Sequence, residues 1–366
     1  MKKVARTLAV TVALGMVVAA CGTETAAPDG AEDVGDGNGE TDDVQAVDED
    51  VLSDVPDDAE LVIYGAIHEG ELARLADAFE NATGIPTEFI RASAGEAVAR
   101  IQAESENPNA DVLLGGPSES HEALVPDFLA QYESPEALEH YDGEFYSSDH
   151  YWHGFYIGAL GLAINTERWE DEFGDQEMPS TWDDLLGPEY EDAVVIAEPA
   201  SSGTAYNMLV TQVFRLGEDE AFEWFDGFSD TVGQYTTSGA APARMAGAGE
   251  YTIGIAFGHD VLKPIDAGYP LELIYPEDTG YEIGAVSIID DGPNPEAARV
   301  FVDWMLGQEA NQLHTDLSMR AALRDDVALP DGAIDSSELD LVDGFDAEWA
   351  GQVRDELLDR WEDEIA

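Results

Sequence analysis

The chain is short of three things. Only one of its 366 residues is cysteine, Cys21, so no intramolecular disulfide can staple the fold and stability must come from a packed core. Basic residues number 15 against 79 acidic ones, a formal net charge of −64. A surface without clustered Lys and Arg cannot release counterions from a polyanion, which argues against DNA, RNA or anionic lipid headgroups as partners. The third shortage is of long apolar runs: the stretch from Leu8 to Ala20 is too short to span a bilayer as a stable anchor. Familiar enzyme signatures are missing too. There is no Gly-x-Ser-x-Gly elbow, no Walker loop and no His-Glu-x-x-His pair, since His68-Glu69-Gly70-Glu71-Leu72 lacks the second histidine. No catalytic residue, cofactor or resident metal is therefore expected. A secreted hydrolase built on a pair of carboxylates is the one enzymatic alternative the composition leaves open.

What is present begins at the N-terminus. Lys2, Lys3 and Arg6 precede the apolar run, which closes on Val18-Ala19-Ala20-Cys21. This is the shape of a secretory signal of the lipobox type, in which the thiol is acylated and becomes the new N-terminus. Residues 1–20 are read as a lipoprotein signal peptide and Cys21 as the lipidation site, so that the mature chain is extracytoplasmic and touches the membrane through an N-terminal lipid only. Residues 21–57 are rich in Asp, Glu, Gly, Thr and Ala and carry no Lys or Arg. Such a segment buries too little apolar surface to offset chain entropy and reads as an acidic disordered tether. The acidity continues through the body, where like charges would repel one another until salt screens them, as in a protein adapted to a salty medium.

From Glu60 onward the apolar content supports a sizeable core and two domains. Leu61-Val62-Ile63-Tyr64-Gly65 reads as a buried strand. A helix follows from Glu69 to about Ala82, with Leu72, Leu75, Ala76 and Phe79 at helical spacing. Thr87–Arg91 is the next strand, then a helix from Gly95 to about Ser105, then a strand at Ala110–Leu114 before Gly115-Gly116. This β-α-β-α-β order belongs to an open parallel sheet, whose ligands bind beyond the carboxyl ends of the strands. A second alternating block has strands at 158–165, 193–197, 232–236 and 252–257, with a helix opened by Thr181 and another running to about Leu216. Strand 283–289 and helices at 295–306 and about 347–364 complete the chain, the last with Trp349, Val353, Leu357 and Trp361 on one stripe.

Three loops repeat one pattern, a strand, then Ser or Thr with Gly, then a helix: Ser93-Ala94-Gly95, Ser201-Ser202-Gly203-Thr204 and the turn holding Ser238. A helix start leaves backbone N–H groups unpaired and carries partial positive charge, so these turns can hold a phosphate or carboxylate without lysine. His68, the pair His259-Asp260, and Glu282 fall at similar strand ends.

Together these residues resemble the solute-binding lipoproteins of ABC importers, in the ferric-iron-binding-like group of the type II periplasmic-binding-protein fold. The resemblance runs from Leu61 to Trp361 and rests on Val62-Ile63-Tyr64 leading to His68, Ser93-Ala94-Gly95-Glu96, Asn109-Ala110-Asp111-Val112 before Gly116, Pro179 to Leu185, Pro199 to Tyr206, and Phe301-Val302-Asp303-Trp304. It implies an α/β fold of two lobes, 58–155 with 283–366 and 156–282, joined by crossing strands around an interlobe cleft. It also implies a monomer that hands a small ligand to an ABC permease and its ATPase. Ferric-ion binders of the group use a histidine, an acid and adjacent tyrosines. His68 matches the histidine, but Ile255-Ala256-Phe257-Gly258-His259-Asp260 carries no tyrosine pair. His259, Asp260 and Glu282 instead look like the sugar-phosphate-binding branch, with the anion on the Ser/Gly turns. Aminoalkylphosphonate binders are close rivals, and ferric ion remains an alternative.

Overall fold

The computed structural model describes residues 46–47, 49–330, 332–333 and 338–365. The expected signal peptide, Cys21 and the tether up to residue 45 lie outside the described residues. The tether's last part is not free chain: Glu49–Leu52 is a helical turn, Val47 N–H donates to the Ala82 carbonyl at 2.9 Å, and Leu52 and Val55 pack on the core. Apolar residues interrupting the acidic run give that stretch something to bury.

The body begins as the sequence pattern implies. Strand β1 (Leu61–Gly65) leads to helix α1 (Glu69–Thr83), which buries Leu72, Leu75 and Phe79 and ends on Gly84 in the left-handed conformation. Strand β2 (Thr87–Arg91), helix α2 (Ala94–Ala103) and strand β3 (Val112–Pro117) follow. Strand β4 (His153–Asn165) runs for thirteen residues. Then come β5 (Val194–Ala197), α3 (Gly203–Leu216), α4 (Glu218–Ser229), β6 (Val232–Thr236), β7 (Ile253–Phe257), α5 (Gly258–Asp266) and β8 (Leu271–Ile274). Strand β9 (Tyr281–Ile289) precedes α6 (Pro295–Leu306), α7 (Gln308–Ser318) and the terminal helix α8 (Arg354–Glu364).

The strand order is β2-β1-β3-β9-β4-β7-β5-β6. β1 pairs in parallel with β2 and β3, and β5 in parallel with β6 and β7. β9 and β4 run antiparallel between these two parallel groups. β4 belongs to both: its first part pairs with β9, and Leu160–Ile164 pairs with β7. The architecture is the expected type II fold, two α/β lobes joined by crossing strands. One core gathers Leu61, Ile63, Leu75, Phe79, Phe155 and Phe301; the other gathers Leu162, Trp182, Val194, Leu209, Phe225 and Ile255.

Three local expectations need correction. Thr181 does cap, its hydroxyl accepting from Asp184 N–H at 3.2 Å, but the element it opens is a 3-10 turn, Asp183–Leu186, rather than an α-helix. The terminal helix is broken at Val353 into Ala347–Gln352 and α8. Leu357 and Trp361 of α8 pack in the core of residues 160–257, with Trp361 edge-on to Phe225 at 5.0 Å, so the end of the chain sits with the second lobe and not, as the 283–366 boundary implied, with the first. Its apolar stripe is consumed by that core. Among the described residues no helix is long and apolar enough to cross a membrane.

Candidate functional site

The carboxyl ends of the strands meet in a cleft of about 460 Å³. The first lobe contributes His68, Arg91, Ser93 and Ala94; the second contributes Ser202, Gly203, Thr204, Ser238, His259 and Asp260. The crossing strands add Tyr156 from β4 and Glu282 from β9, and Arg320 enters from the segment after α7. Contacts bridge the lobes at its rim. A Cβ on Gly203 would come within 2.9 Å of Ala94 Cβ and 2.7 Å of Pro117, and one on Gly95 within 2.5 Å of the Ala200 carbonyl.

One wall is made of helix starts. Ser202 is the N-cap of α3, its Oγ accepting from Ala205 N–H at 3.4 Å. Ser93 caps α2, but its hydroxyl donates to Glu96 Oε2 at 2.7 Å and its N–H to the same oxygen at 2.9 Å. Those two hydrogen bonds hold the Glu96 carboxyl below its ordinary value. Ser201 is not part of this wall. Its hydroxyl turns back to the Glu198 carbonyl at 3.3 Å, within its own turn. Gly95 and Gly116 stand behind the lining and set backbone spacing rather than touching the cleft space; Gly116 has φ +81°, where a Cβ would meet Ala66 and Ala94 at 3.2 Å.

The opposite wall is a cluster of buried ionisable groups. His68 Nε2 lies 2.8 Å from Asp260 Oδ1. His259 Nε2 lies 3.8 Å from Asp260 Oδ2 and 3.7 Å from Glu282 Oε1, beyond hydrogen-bond distance, and neither of its ring nitrogens has a partner. Gly158 on β4 makes room for this ring: a Cβ there would sit 2.8 Å from His259 Nδ1. Burial pushes His259 well below its usual value, helped by the Arg320 cation, so the ring is neutral near pH 7. Burial pushes Glu282 well above the carboxylate range, with Arg320 opposing. Asp260 goes the other way. Burial alone would raise it, but the His68 hydrogen bond and the Arg320 cation hold it below its ordinary value. Two carboxyls on one wall are thus shifted in opposite directions.

Below this wall Arg320, 5% exposed, donates to Glu71 Oε2 at 2.8 Å, while Lys263 pairs with Glu71 Oε1. The guanidinium also lies over the Tyr156 ring at 4.9 Å. Arg91, Tyr156 and Arg320 were not found by sequence reasoning. No local motif surrounds Arg320; the only signal was that basic residues are scarce, so a buried one needs a reason.

Comparison with known proteins bears on this arrangement. Residues 107–334 match the family model of bacterial extracellular solute-binding proteins. The structure of the periplasmic binding protein AfuA from Actinobacillus pleuropneumoniae, with exogenous fructose-6-phosphate bound, is similar at a TM-score of 0.81 and 36% identity, over 84% of this chain and 99% of that one. An uncharacterized protein from Haemophilus influenzae is 35% identical over 313 residues, 83% of this chain and 90% of the relative. A putative 2-aminoethylphosphonate-binding periplasmic protein of Salmonella typhimurium is 23% identical over 296 residues, 76% of this chain and 84% of that protein. With more than half of its length matched by the family model, and a fold and interlobe cleft that agree with it, the chain belongs to the bacterial extracellular solute-binding proteins, the ligand-capturing components of ABC importers.

Proposed function

We propose that this protein captures an anionic organic phosphate, a sugar phosphate, and delivers it chemically unchanged to an ABC permease and its ATPase. The observation that carries the reading is the division of the cleft into two unlike walls. Helix starts at Ala94 and Ser202–Thr204, with Ser238 and Arg91 nearby, suit a phosphate. His259, Asp260 and Glu282 suit sugar hydroxyls, which both donate and accept: carboxylate oxygens accept, and a neutral imidazole offers one donor and one acceptor nitrogen. The likeness to AfuA with fructose-6-phosphate supports the same ligand class.

A short phosphonate would leave the acid-and-histidine wall without hydroxyls to bind. Ferric ion is disfavoured by the chemistry of the donors. Phe257 precedes His259 where a tyrosine pair would be needed, and burial raises the Tyr156 phenol well above its usual value, against phenolate formation. The two lobes close on the ligand by flexing the crossing strands, the protein acts as a monomer, and acylated Cys21 with its acidic leader holds it at the outer face of the membrane. Cys21→Ala should then release the protein into the soluble extracytoplasmic fraction with binding intact.

Calorimetry on the purified protein tests the ligand assignment, with fructose 6-phosphate, inorganic phosphate, 2-aminoethylphosphonate and ferric citrate as titrants. Fructose 6-phosphate is expected to bind at least tenfold more tightly than inorganic phosphate. A visible phenolate-to-iron band, with no heat from any phosphate or phosphonate, would return the protein to the ferric class.

A further inference from the structure

Helix α3 carries more than the anion-holding turn at its start. Gly203, Asn207 and Thr211 follow one another at four-residue spacing, so they share one face of the helix. That face lies along the first lobe and the crossing strand. Gly203 packs on Pro117, and Thr211 is met by Gly280, where a Cβ would collide with its hydroxyl. Between them Asn207 Nδ2 donates to Glu119 Oε1 at 2.9 Å and to the Tyr281 carbonyl at 2.8 Å. Tyr281 is the residue before Glu282. One side chain thus fixes the start of α3 both to the first lobe and to the strand that carries part of the acid-and-histidine wall.

Glu119 lies in the five-residue helical segment Ser118–Glu122 and is fully buried. Its Oε2 has no hydrogen-bond partner, and neither has Asn207 Oδ1. The charged groups around it do not neutralise it. Arg354 of α8 lies over the Tyr206 ring at 4.2 Å with its Nη1 buried and unpartnered, and among the described residues it makes no ion pair with Glu119. Glu282 of β9 is a second acid, raised in part by the Glu119 charge. On the same segment His121 is held by Ser287 Oγ and the Gly115 carbonyl, and Glu122 by Trp152 Nε1. Asp346 and Glu348 act on Glu122, and Glu96 of α2 is turned to Ser93. A buried carboxylate with one hydrogen bond and no paired cation is costly, and the neutral acid is much less so. Burial accordingly pushes Glu119 up to about 7, with the Asn207 hydrogen bond and Arg354 opposing.

We propose that Glu119 is a positioning residue for ligand capture: through Asn207 it seats the start of α3 against the acid-and-histidine wall, and it holds that arrangement with its proton on. An arrangement in which α3 moves off the segment lets water reach the carboxyl, which then ionises as an ordinary glutamate does. Seating and proton uptake are therefore linked. Seating is favoured at low pH and weakens as pH rises from the ordinary value of 4.5 to the raised one of about 7. A ligand that must touch both walls loses affinity over the same window; that ligand is the phosphate ester of the reading above, on which this step rests.

Calorimetric titration of fructose 6-phosphate into the wild-type protein and Glu119→Gln, at pH 5.5 and 7.5, tests the link. The ligand's own titration and that of the cleft groups are common to both proteins, so the ratio of the two affinities reports Glu119. That ratio should move about tenfold against the wild type between the two pH values. Glu119→Ala, which cannot hold Asn207, should bind more weakly than Glu119→Gln at both. A ratio that stays within about twofold overturns the proposal, even where fructose 6-phosphate binds well. Amide exchange on the ligand-free wild-type protein reads the same seating with neither ligand nor variant. After correction for the intrinsic effect of pH, the first turns of α3 should lose protection relative to α6 between pH 5.5 and 7.5. If fructose 6-phosphate does not bind at all, the phosphate-ester reading fails; there, or where the variants do not fold, exchange alone decides, and unchanged protection of α3 overturns the proposal.

Discussion

His68, at the start of α1 in one lobe, and Asp260, in the first turn of α5 in the other, meet across the cleft with Nε2 and Oδ1 2.8 Å apart. The contact orients the Asp260 carboxylate and ties the lobes together across the cleft. Asp260→Asn should weaken a hydroxylated phosphate by at least tenfold and leave inorganic phosphate within about twofold, since one charge-assisted hydrogen bond is worth about 1.5–3 kcal/mol. His68→Ala should weaken both, because it removes a lobe contact as well as a cleft group. Calorimetric affinities for the two ligands on the two variants check the split.

Arg320 and Lys263 share the buried carboxylate of Glu71. Removing one partner of a buried pair leaves a charge without compensation, which typically costs 3–5 kcal/mol. Because Lys263 still pairs with Glu71, Arg320→Met should lower the unfolding free energy by no more than that amount, read from urea denaturation, and Glu71→Gln in the same background should restore part of the loss. An Arg320→Met variant as stable as wild type would show that Lys263 alone suffices.

Glu119 sits on the turn after β3, fully buried, with Asn207 of α3 donating to its Oε1 at 2.9 Å. Burial pushes its carboxyl up to about 7, with the Asn207 hydrogen bond and the Arg354 cation opposing. Between its unfolded value near 4.5 and that raised value the folded state binds the extra proton, so its contribution to stability is present below the window and lost as pH rises through it. The whole effect is on the order of 3 kcal/mol. Buried His259 and His314, both pushed down by burial, act in the opposite sense. The difference between wild type and Glu119→Gln isolates the carboxyl: melting temperatures from pH 5 to 8 should show the wild type losing ground relative to the variant as pH rises.

The charge of −64 should make stability depend on salt. The Debye length is about 10 Å at 0.1 M and 3 Å at 1 M, so surface repulsion present in dilute buffer is largely screened at molar salt. The melting temperature should rise between 0.05 and 2 M potassium chloride. A flat or falling curve would remove salt adaptation as the reason for the acidity.

Much of the frame was legible because local pattern and burial agree there. β1 was legible as a continuous apolar run, and β2 and α6 stand where alternation and helical spacing put them. Reading failed where neither an apolar run nor a one-sided pattern marks the element. The first part of β4 is buried on both faces and begins with a histidine and a glycine, so His153–Ile157 gave no alternation and the strand is legible only from Gly158. α7 buries Asn311, His314 and Thr315, a polar set that hides a packed helix. The break at Val353 is a tertiary matter, because neighbouring Gly351 lies so close to Glu122 that a Cβ would approach it to 2.4 Å. In the site, His68, His259, Asp260 and Glu282 were legible from their places at strand ends, and the structure brings them together. Ser201 was misplaced because a hydroxyl's direction inside a turn is set by which carbonyl lies nearest, and Arg320 was missed because its partner Glu71 is 249 positions away in the chain.

The antiparallel pairing of β9 with β3 has a consequence for the order in which the protein is made. Ser287 lies opposite Leu113, so the N-terminal lobe waits for nearly the whole of the other lobe to be synthesised before its sheet can be completed. Until Tyr281–Ile289 leaves the ribosome, one edge of β3 has no partner strand, an open template for pairing with other chains. The second lobe, whose β4, β5, β6 and β7 are all complete by Phe257, can assemble its sheet earlier. The sheet translated first is thus the sheet completed last, while the core of the second lobe still waits for Leu357 and Trp361 of α8, so each lobe exposes unfinished surface until a segment made late arrives.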